Sequence, residues 1–491
     1  MTYPSLININ TDSSANTKIP RDVFEDIKLD IMLSADTIDV MQNVCSADDI
    51  CTRQELFSSL LNDSELLKYL KKLYLFADRI YSLHKGCNTA VCSTEKSVIF
   101  AAMMHEVIGF AHLASEIHSD AMLLRRFASY FSEFCADSRF AEFEQKLSGL
   151  ISSLDKTHVY TCSIAGKTHY LSVPEATDPS PSGYISKLIS LAENFGLKDI
   201  KPENTIRICA DEGLITAAAR LHPEEFGHAE EFYAEYCDFI SDKILSYRSE
   251  LNFCIEICRL INRIHDAGIP TCFPKISDGR AIKLTQAYDI TLLEKDEHNI
   301  IPNDVELTEK EPLFFLTGAN GGGKTTYLRT VGVSVIMFLC GAPAPCAAAE
   351  IAPLKCVCTH FPRDERFGLS GRFLDEQSRI NEITESADSR TLVLLNETYS
   401  TTAEEKAVQC TSELAHTLYS KGVFGIYVTH HSLNIPEEDS GIPFLNVVLD
   451  SDGAGRTFKV ERKRNTAGSH ALDILKKYGL DRETLSERFG I

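Results

Sequence analysis

From about Asp22 to Asp266 apolar residues recur at intervals of three and four, the spacing that paints one face of an α-helix. Leu56, Leu60 and Leu61, then Leu66, Leu67, Leu70 and Leu73, trace such faces between Arg53 and Lys85. Asn62-Asp63-Ser64 interrupts them, and Glu65 is placed to begin a new helix. Ser97 to His118 and Asp120 to Lys156 read as further helices, the second broken near Asp137. Val159 to Val173 is β-rich around a central glycine and predicts a hairpin, and Pro174 to Gly183 predicts a loop. Helices then resume and end in one long run from about Glu224 to Asp266, whose length without a breaker predicts an arm. Near Gly268 to Gly279 the texture changes. Short apolar strands at Phe314–Thr317, Thr391–Leu395 and Phe424–Thr429 alternate with helical stretches, the mark of an α/β domain with a largely parallel sheet. The expected division is a mostly helical domain at 1–274, with a small hairpin near 159–173, and an α/β domain at 275–491.

Composition narrows the function. Of 491 residues, 44% are apolar and 24% charged, which excludes extensive disorder. The balance of 49 basic and 70 acidic residues gives a net charge of -21. That excludes a generally basic nucleic-acid coat protein but leaves room for a local basic site. The excess is uneven, with 25 basic against 39 acidic residues in 1–274 and 24 against 31 in 275–491. Arg462-Lys463-Arg464 is a short basic cluster that reads as a solvated turn. The sixteen cysteines are scattered. Cys254 and Cys258 lie one helical turn apart and Cys356 and Cys358 share a strand face, but neither pair has a partner pair at zinc-ligand spacing, so buried reduced thiols are expected. His105-Glu106 with His112 lacks the spacing of a metalloprotease helix. Met1 to Arg21 is polar without a signal core, and no run approaches the ~18 apolar residues of a membrane span. A cytoplasmic protein without a membrane partner is expected.

The strongest motif is Gly318-Ala319-Asn320-Gly321-Gly322-Gly323-Lys324-Thr325, between an apolar strand and a predicted helix. Glycines let backbone N–H groups approach phosphate oxygens, and the helix N-terminus adds a favourable dipole. Lys324 would reach the β- and γ-phosphates, and Thr325 would offer a hydroxyl to Mg²⁺. Thr391-Leu-Val-Leu-Leu-Asn396-Glu397 supplies a second strand ending in polar groups. Glu397 would polarise the attacking water. Asn396 stands where an Asp commonly supports Mg²⁺, which predicts weaker metal binding or slower turnover. His430, just past a further strand, could report the γ-phosphate.

Together these residues resemble the ATPase domain of the MutS family of DNA mismatch-repair proteins. The likeness extends over Ile301-Pro-Asn-Asp304, TGANGGGKTTYLRT (317–330), Ala349–Pro353, Phe367–Phe373, LVLLNE (392–397) with Ser400-Thr401-Thr402, VTHH (428–431) and Ala467-Gly-Ser-His470. It is fainter in the helical half, at Thr52–Phe57 with Asn62 and Glu65-Leu66. The resemblance implies a P-loop ATPase domain of the ABC type behind a helical lever- or clamp-like domain. It implies ATP and Mg²⁺ held by the loop, Thr326 included, and a homodimer in which Ser370 and Gly371 reach the partner's ATP. It places Ile300 where an aromatic residue usually stacks on adenine. It also implies binding of mismatched or branched double-stranded DNA.

Three departures stand out: Asn396, a loop after Glu397 without the usual glycines, and a helical half that begins almost at once, leaving no room for the family's mismatch-reading and connector domains. Phe131-Ser-Glu133 and Phe140-Ala-Glu142 match the reader's Phe-x-Glu pattern, but inside helical runs of the wrong region. The acidic helical half also fits an ATP-switched clamp that acts on a protein partner without DNA.

Overall fold

The computed structural model describes residues 3–9, 18–155, 219–220, 222–239, 241, 243–295, 300–362, 376–399, 405–429, 441–448, 456–463 and 488, together with the backbone of 159–164, 167–172, 372–375, 404 and 449. The helices are α1 (Arg21–Asp26), α2 (Ala35–Met41), α3 (Ala47–Asn62), α4 (Ser64–Thr89), α5 (Ser93–Ser115), α6 (Met122–Ala136), α7 (Ser138–Leu154), α8 (Pro223–Tyr236), α9 (Lys243–Asp266), α10 (Lys324–Leu339), α11 (Arg372–Ser386) and α12 (Glu404–Ser420). The strands are β1 (Val159–Ile164), β2 (Lys167–Ser172), β3 (Lys275–Ile276), β4 (Ala281–Ala287), β5 (Asn303–Thr308), β6 (Leu313–Thr317), β7 (Ala348–Ile351), β8 (Cys356–His360), β9 (Thr391–Asn396), β10 (Phe424–Val428), β11 (Phe444–Leu449) and β12 (Arg456–Arg462). The chain gathers into two units: residues 1–71, 117–127 and 249–491, and residues 72–116 and 128–248. Residue 274 lies inside the first.

Polar caps explain where several helices stop. Asp63 Oδ1 accepts the N–H groups of Glu65 and Leu66 at the start of α4. Asp137 Oδ1 accepts the N–H of Arg139 and separates α6 from α7. The arm expected over 224–266 is instead two helices, α8 and α9. Their break escaped the periodicity because apolar Phe239 continues the pattern; it packs 4.7 Å from Phe143 in the turn, and Ser241 Oγ then accepts the N–H of Lys243 to start α9.

The second unit is held by aromatic packing. Phe110 stacks on Tyr247 at 5.6 Å and meets Phe131 edge-on at 5.5 Å. Phe131 and Phe140 are each 1% exposed, so both Phe-x-Glu matches are core phenylalanines. Contrary to the expectation from hydropathy, α5 is long and apolar enough to cross a membrane. Its apolar residues face α7 and α8, and 61% of its most apolar window is buried, as in the core helix of a packed bundle. Glu106 pairs with Arg79 at 2.7 Å and His112 with Glu144 at 3.0 Å, so neither is poised for a metal. β1 and β2 pair antiparallel as the expected hairpin.

The first unit contains a six-stranded sheet in the order β12-β11-β6-β10-β9-β8. β11, β6, β10, β9 and β8 run parallel, and only the edge strand β12 is antiparallel. β6, β9 and β10 are wholly buried, which accounts for their unbroken apolar sequences. A second sheet, β3-β7-β4-β5, was not apparent from the sequence. Asn303 and Asp304 open its strand β5.

N-terminal residues complete this unit. Asp26 of α1 accepts from Thr359 Oγ1 at 2.6 Å, and Asp22 pairs with Arg379 at 3.2 Å. Arg53, 2% exposed, donates to Ile7 O at 2.7 Å, Asn8 Oδ1 at 2.7 Å and Cys340 O at 3.4 Å. Gln54 donates to Pro274 O at 2.8 Å. The segment Thr52–Phe57 is thus tied to the start of the α/β region at Pro274 and to Cys340 at the end of α10.

Candidate functional site

β6 sits between β11 and β10, and its carboxyl end runs straight into the glycine loop. Gly318 has φ +127°, and a Cβ there would lie 2.9 Å from Val447 Cβ and 3.0 Å from its backbone nitrogen. Only glycine takes this conformation so close to a neighbouring strand. The loop closes with Gly323, whose carbonyl accepts the first helical bond of α10 from Tyr327 at 2.8 Å. Thr325 and Thr326 are half-buried in the first turn, while Gly321 and Asn320 are exposed and Gly322 is buried.

Lys324 is 5% exposed. Its Nζ donates to Gly318 O at 2.8 Å, Asn320 Oδ1 at 3.3 Å and Ala319 O at 3.4 Å. Burial holds its pKa below the ordinary lysine value, and the nearby Glu397 carboxylate acts in the opposite sense. The ammonium therefore rests on neutral oxygens in a partly desolvated setting, which favours an incoming anion.

β9 ends beside β10, with Asn396 opposite Val428. Asn396 is 7% exposed, and its Oδ1 is buried without a hydrogen-bond partner among the described residues. Such an oxygen is normally satisfied. Glu397 follows at φ +53° and donates its N–H to Val428 O at 3.0 Å. Tyr399 is also left-handed, at φ +66°. The chain turns sharply here without the glycines that would make it easy. Two residues that the sequence did not single out brace this turn. Glu376 of α11 accepts the Tyr399 N–H at 3.1 Å, and His360 at the end of β8 lies 3.4 Å from Thr398 Oγ1 and 3.8 Å from Glu376 Oε1. A histidine closing an apolar strand gave no signal, because its partners are 16 and 38 residues away.

The ends of β6, β9 and β10 thus bring Lys324, Thr325, Asn396 and Glu397 to one edge. Ile300 is half-buried ahead of β5, where Asn303 Oδ1 accepts from Val460 N at 2.8 Å and Asp304 O accepts from Tyr327 Oη at 2.9 Å. His430, Ser370, Gly371, Ser400–Thr402 and Ala467–His470 lie outside the described residues. Arg462 forms a two-pronged pair with Glu311 and lies 5.8 Å above Phe314, so it joins β12 to the sheet. Among the described residues no cluster of three metal-ligating side chains occurs. The described cysteines are free thiols; Cys254 and Cys258 are buried as expected, whereas Cys51, Cys92 and Cys237 are exposed. Two pairs approach closely: Cys356 and Cys358 at 3.7 Å, and Cys272 and Cys346 at 3.5 Å.

A mixed α/β region with a glycine loop at the carboxyl edge of its parallel strands, preceded by a helical region, is the class these elements define. Residues 314–481 match the family model of MutS domain V. The chain is 26% identical over 234 residues to the DNA mismatch repair protein MutS of Aquifex pyrophilus, covering 44% of this chain and 26% of that one. It is 31% identical over 144 residues to the MutS of Natronomonas pharaonis, covering 28% and 17%. It is 28% identical over 194 residues to Endonuclease MutS2 of Thermotoga maritima, covering 38% and 25%. The matches thus span about a quarter or less of these relatives' lengths. The likeness to the MutS family thus rests on this domain.

Proposed function

We propose that the chain binds and hydrolyses ATP at a P-loop of the ABC type and uses the nucleotide state to control binding of mismatched or branched DNA. The observation that carries this is Lys324: a buried ammonium resting on loop carbonyls, beside a glycine loop whose N–H groups precede a 16-residue helix. The glycines and Lys324 would hold the phosphates, with Thr326 in the first turn and Ile300 near the base. Glu397 would orient and deprotonate the attacking water, and His430 would sense the γ-phosphate. The Oδ1 of Asn396, unpartnered among the described residues, and the Thr325 hydroxyl are oxygen donors that suit a hydrated Mg²⁺. Bound there, Mg²⁺ would offset charge on the β- and γ-phosphates. Asn396 brings no negative charge, so turnover would be slow. Ser370 and Gly371 would complete the site of a partner copy, making a homodimer the active form.

ATP binding by the parent and by Lys324→Ala tests the site. Loss of binding in the variant supports it, and unchanged affinity removes Lys324 from its role. Glu397→Gln should trap ATP; hydrolysis at the parental rate would exclude Glu397 as base. The acidic excess of 1–274 favours a second arm, in which the clamp closes on a protein. Gel shifts with homoduplex, mismatched and branched DNA at two salt concentrations separate the two, because phosphate contacts weaken steeply with salt. Intact ATPase activity with no DNA binding at low salt would select the protein partner.

A further inference from the structure

The edge strand β12 lies over the glycine loop, and its charged face was not absorbed by the site described above. A Cβ placed on Gly321 would meet Arg456 Nη1 at 2.8 Å, and one on Gly323 would meet Phe458 Cδ1 at 3.4 Å. Arg456 and Phe458 are two residues apart on a strand, so both present the same face to the loop. Arg456 is exposed and has no hydrogen bond or ion pair among the described residues, whereas Arg462 at the far end of the strand is locked to Glu311. Phe458 is 46% exposed and has φ +56°, a conformation a bulky side chain adopts only when its surroundings impose it. They do impose it: Asn303 Nδ2 donates to Phe458 O at 3.0 Å, and Asn303 Oδ1 accepts from Val460 N at 2.8 Å. One asparagine side chain thus clamps the strand immediately after the strained residue.

We infer that β12 is a cap on the phosphate loop, in which Arg456 is a second cation for the phosphates of a nucleoside di- or triphosphate and Phe458 shields them from water. This rests on the nucleotide reading of Lys324. Guanidinium suits the task because its planar donors can take two phosphate oxygens at once. The distorted, clamped strand holds it at the loop, so little ordering remains to be done on binding.

The test is isothermal titration of the full chain with ATP and with ADP in Mg²⁺ buffer, using the parent, Lys324→Ala, Arg456→Ala, Arg456→Lys and Phe458→Ala, with melting of each ligand-free protein in parallel. Arg456→Ala should weaken ATP and ADP by about tenfold, as for loss of one charge-assisted contact. Arg456→Lys should recover part of it, and Phe458→Ala should weaken both by a few-fold. Ligand-free melting of Arg456→Ala should equal the parent's, because the side chain has no partner among the described residues. Parental affinity in Arg456→Ala, with binding abolished in Lys324→Ala, would overturn the cap and leave the nucleotide site standing. A drop in ligand-free melting that accompanies the lost affinity would also overturn it, by making Arg456 structural. A parent that binds neither nucleotide would overturn the nucleotide site and the cap together.

Discussion

Arg53→Met removes a buried guanidinium while keeping most of the volume of its stem. In the parent, two hydrogen bonds of 2.7 Å satisfy Ile7 O and Asn8 Oδ1, and a third of 3.4 Å reaches Cys340 O. The guanidinium also lies 5.4 Å from the Phe253 ring centroid. Each acceptor left buried without a partner costs about 1–3 kcal/mol, and the ring contact adds about 1 kcal/mol. Removing a desolvated charge returns part of that loss. The balance is a destabilisation of about 3 kcal/mol, or a fall in melting temperature of roughly 4–5 °C for a unit of this size. Far-UV circular dichroism would follow the transition, with tyrosine fluorescence as a second probe because the chain has no tryptophan. Arg21→Met is the control. That side chain is half-exposed and only 3.4 Å from Asp39, so its removal should change stability by about 0.5 kcal/mol or less. If Arg53→Met melts with the control, Arg53 is not the tie between the N-terminal segment and α10.

Gly341→Ala should destabilise by about 3 kcal/mol or more in urea titration, because φ is +72° and the new Cβ would overlap Arg53 Cβ and stand 3.0 Å from Ile50 O. Hydrogen bonding from Cys346 holds the Cys272 thiol below its ordinary pKa, so diamide should cross-link this pair; mass spectrometry finding Cys272 alkylated and unlinked would refute that. The lowered pKa of Lys324 makes the folded chain bind fewer protons than the unfolded one between that value and 10.5. Lys324 therefore disfavours folding below this window, and stability rises with pH through it. Bound ATP should restore the charge, so binding within the window should take up a proton. Calorimetry in two buffers of different ionisation enthalpy would detect it, and buffer-independent heats would refute it.

Local signals carried the reading where local chemistry decides structure. Asp63 and Asp137 cap helices with their own side chains, so the breaks at 62–64 and near 137 were legible. So were the three buried strands and the loop between β6 and α10. What escaped depends on distant partners. The turn between α8 and α9 is held by Phe239 against Phe143, far back in sequence. The residues bracing Glu397 come from β8 and α11. Nothing in Arg-Thr-Phe-Lys says that a strand will lie against the glycines of residues 321 and 323.

The docking of α1 sets a timetable for synthesis. Asp26 waits for Thr359, 333 residues further on. At about 5–20 residues per second the ribosome needs roughly 15–70 s to deliver it. Until then Val23, Phe24 and Ile27, buried in the folded unit, lack β8 to pack on. Slow translation should therefore increase this chain's demand for a holding chaperone, and the α/β region cannot mature before its own N-terminus has been kept safe long enough to join it.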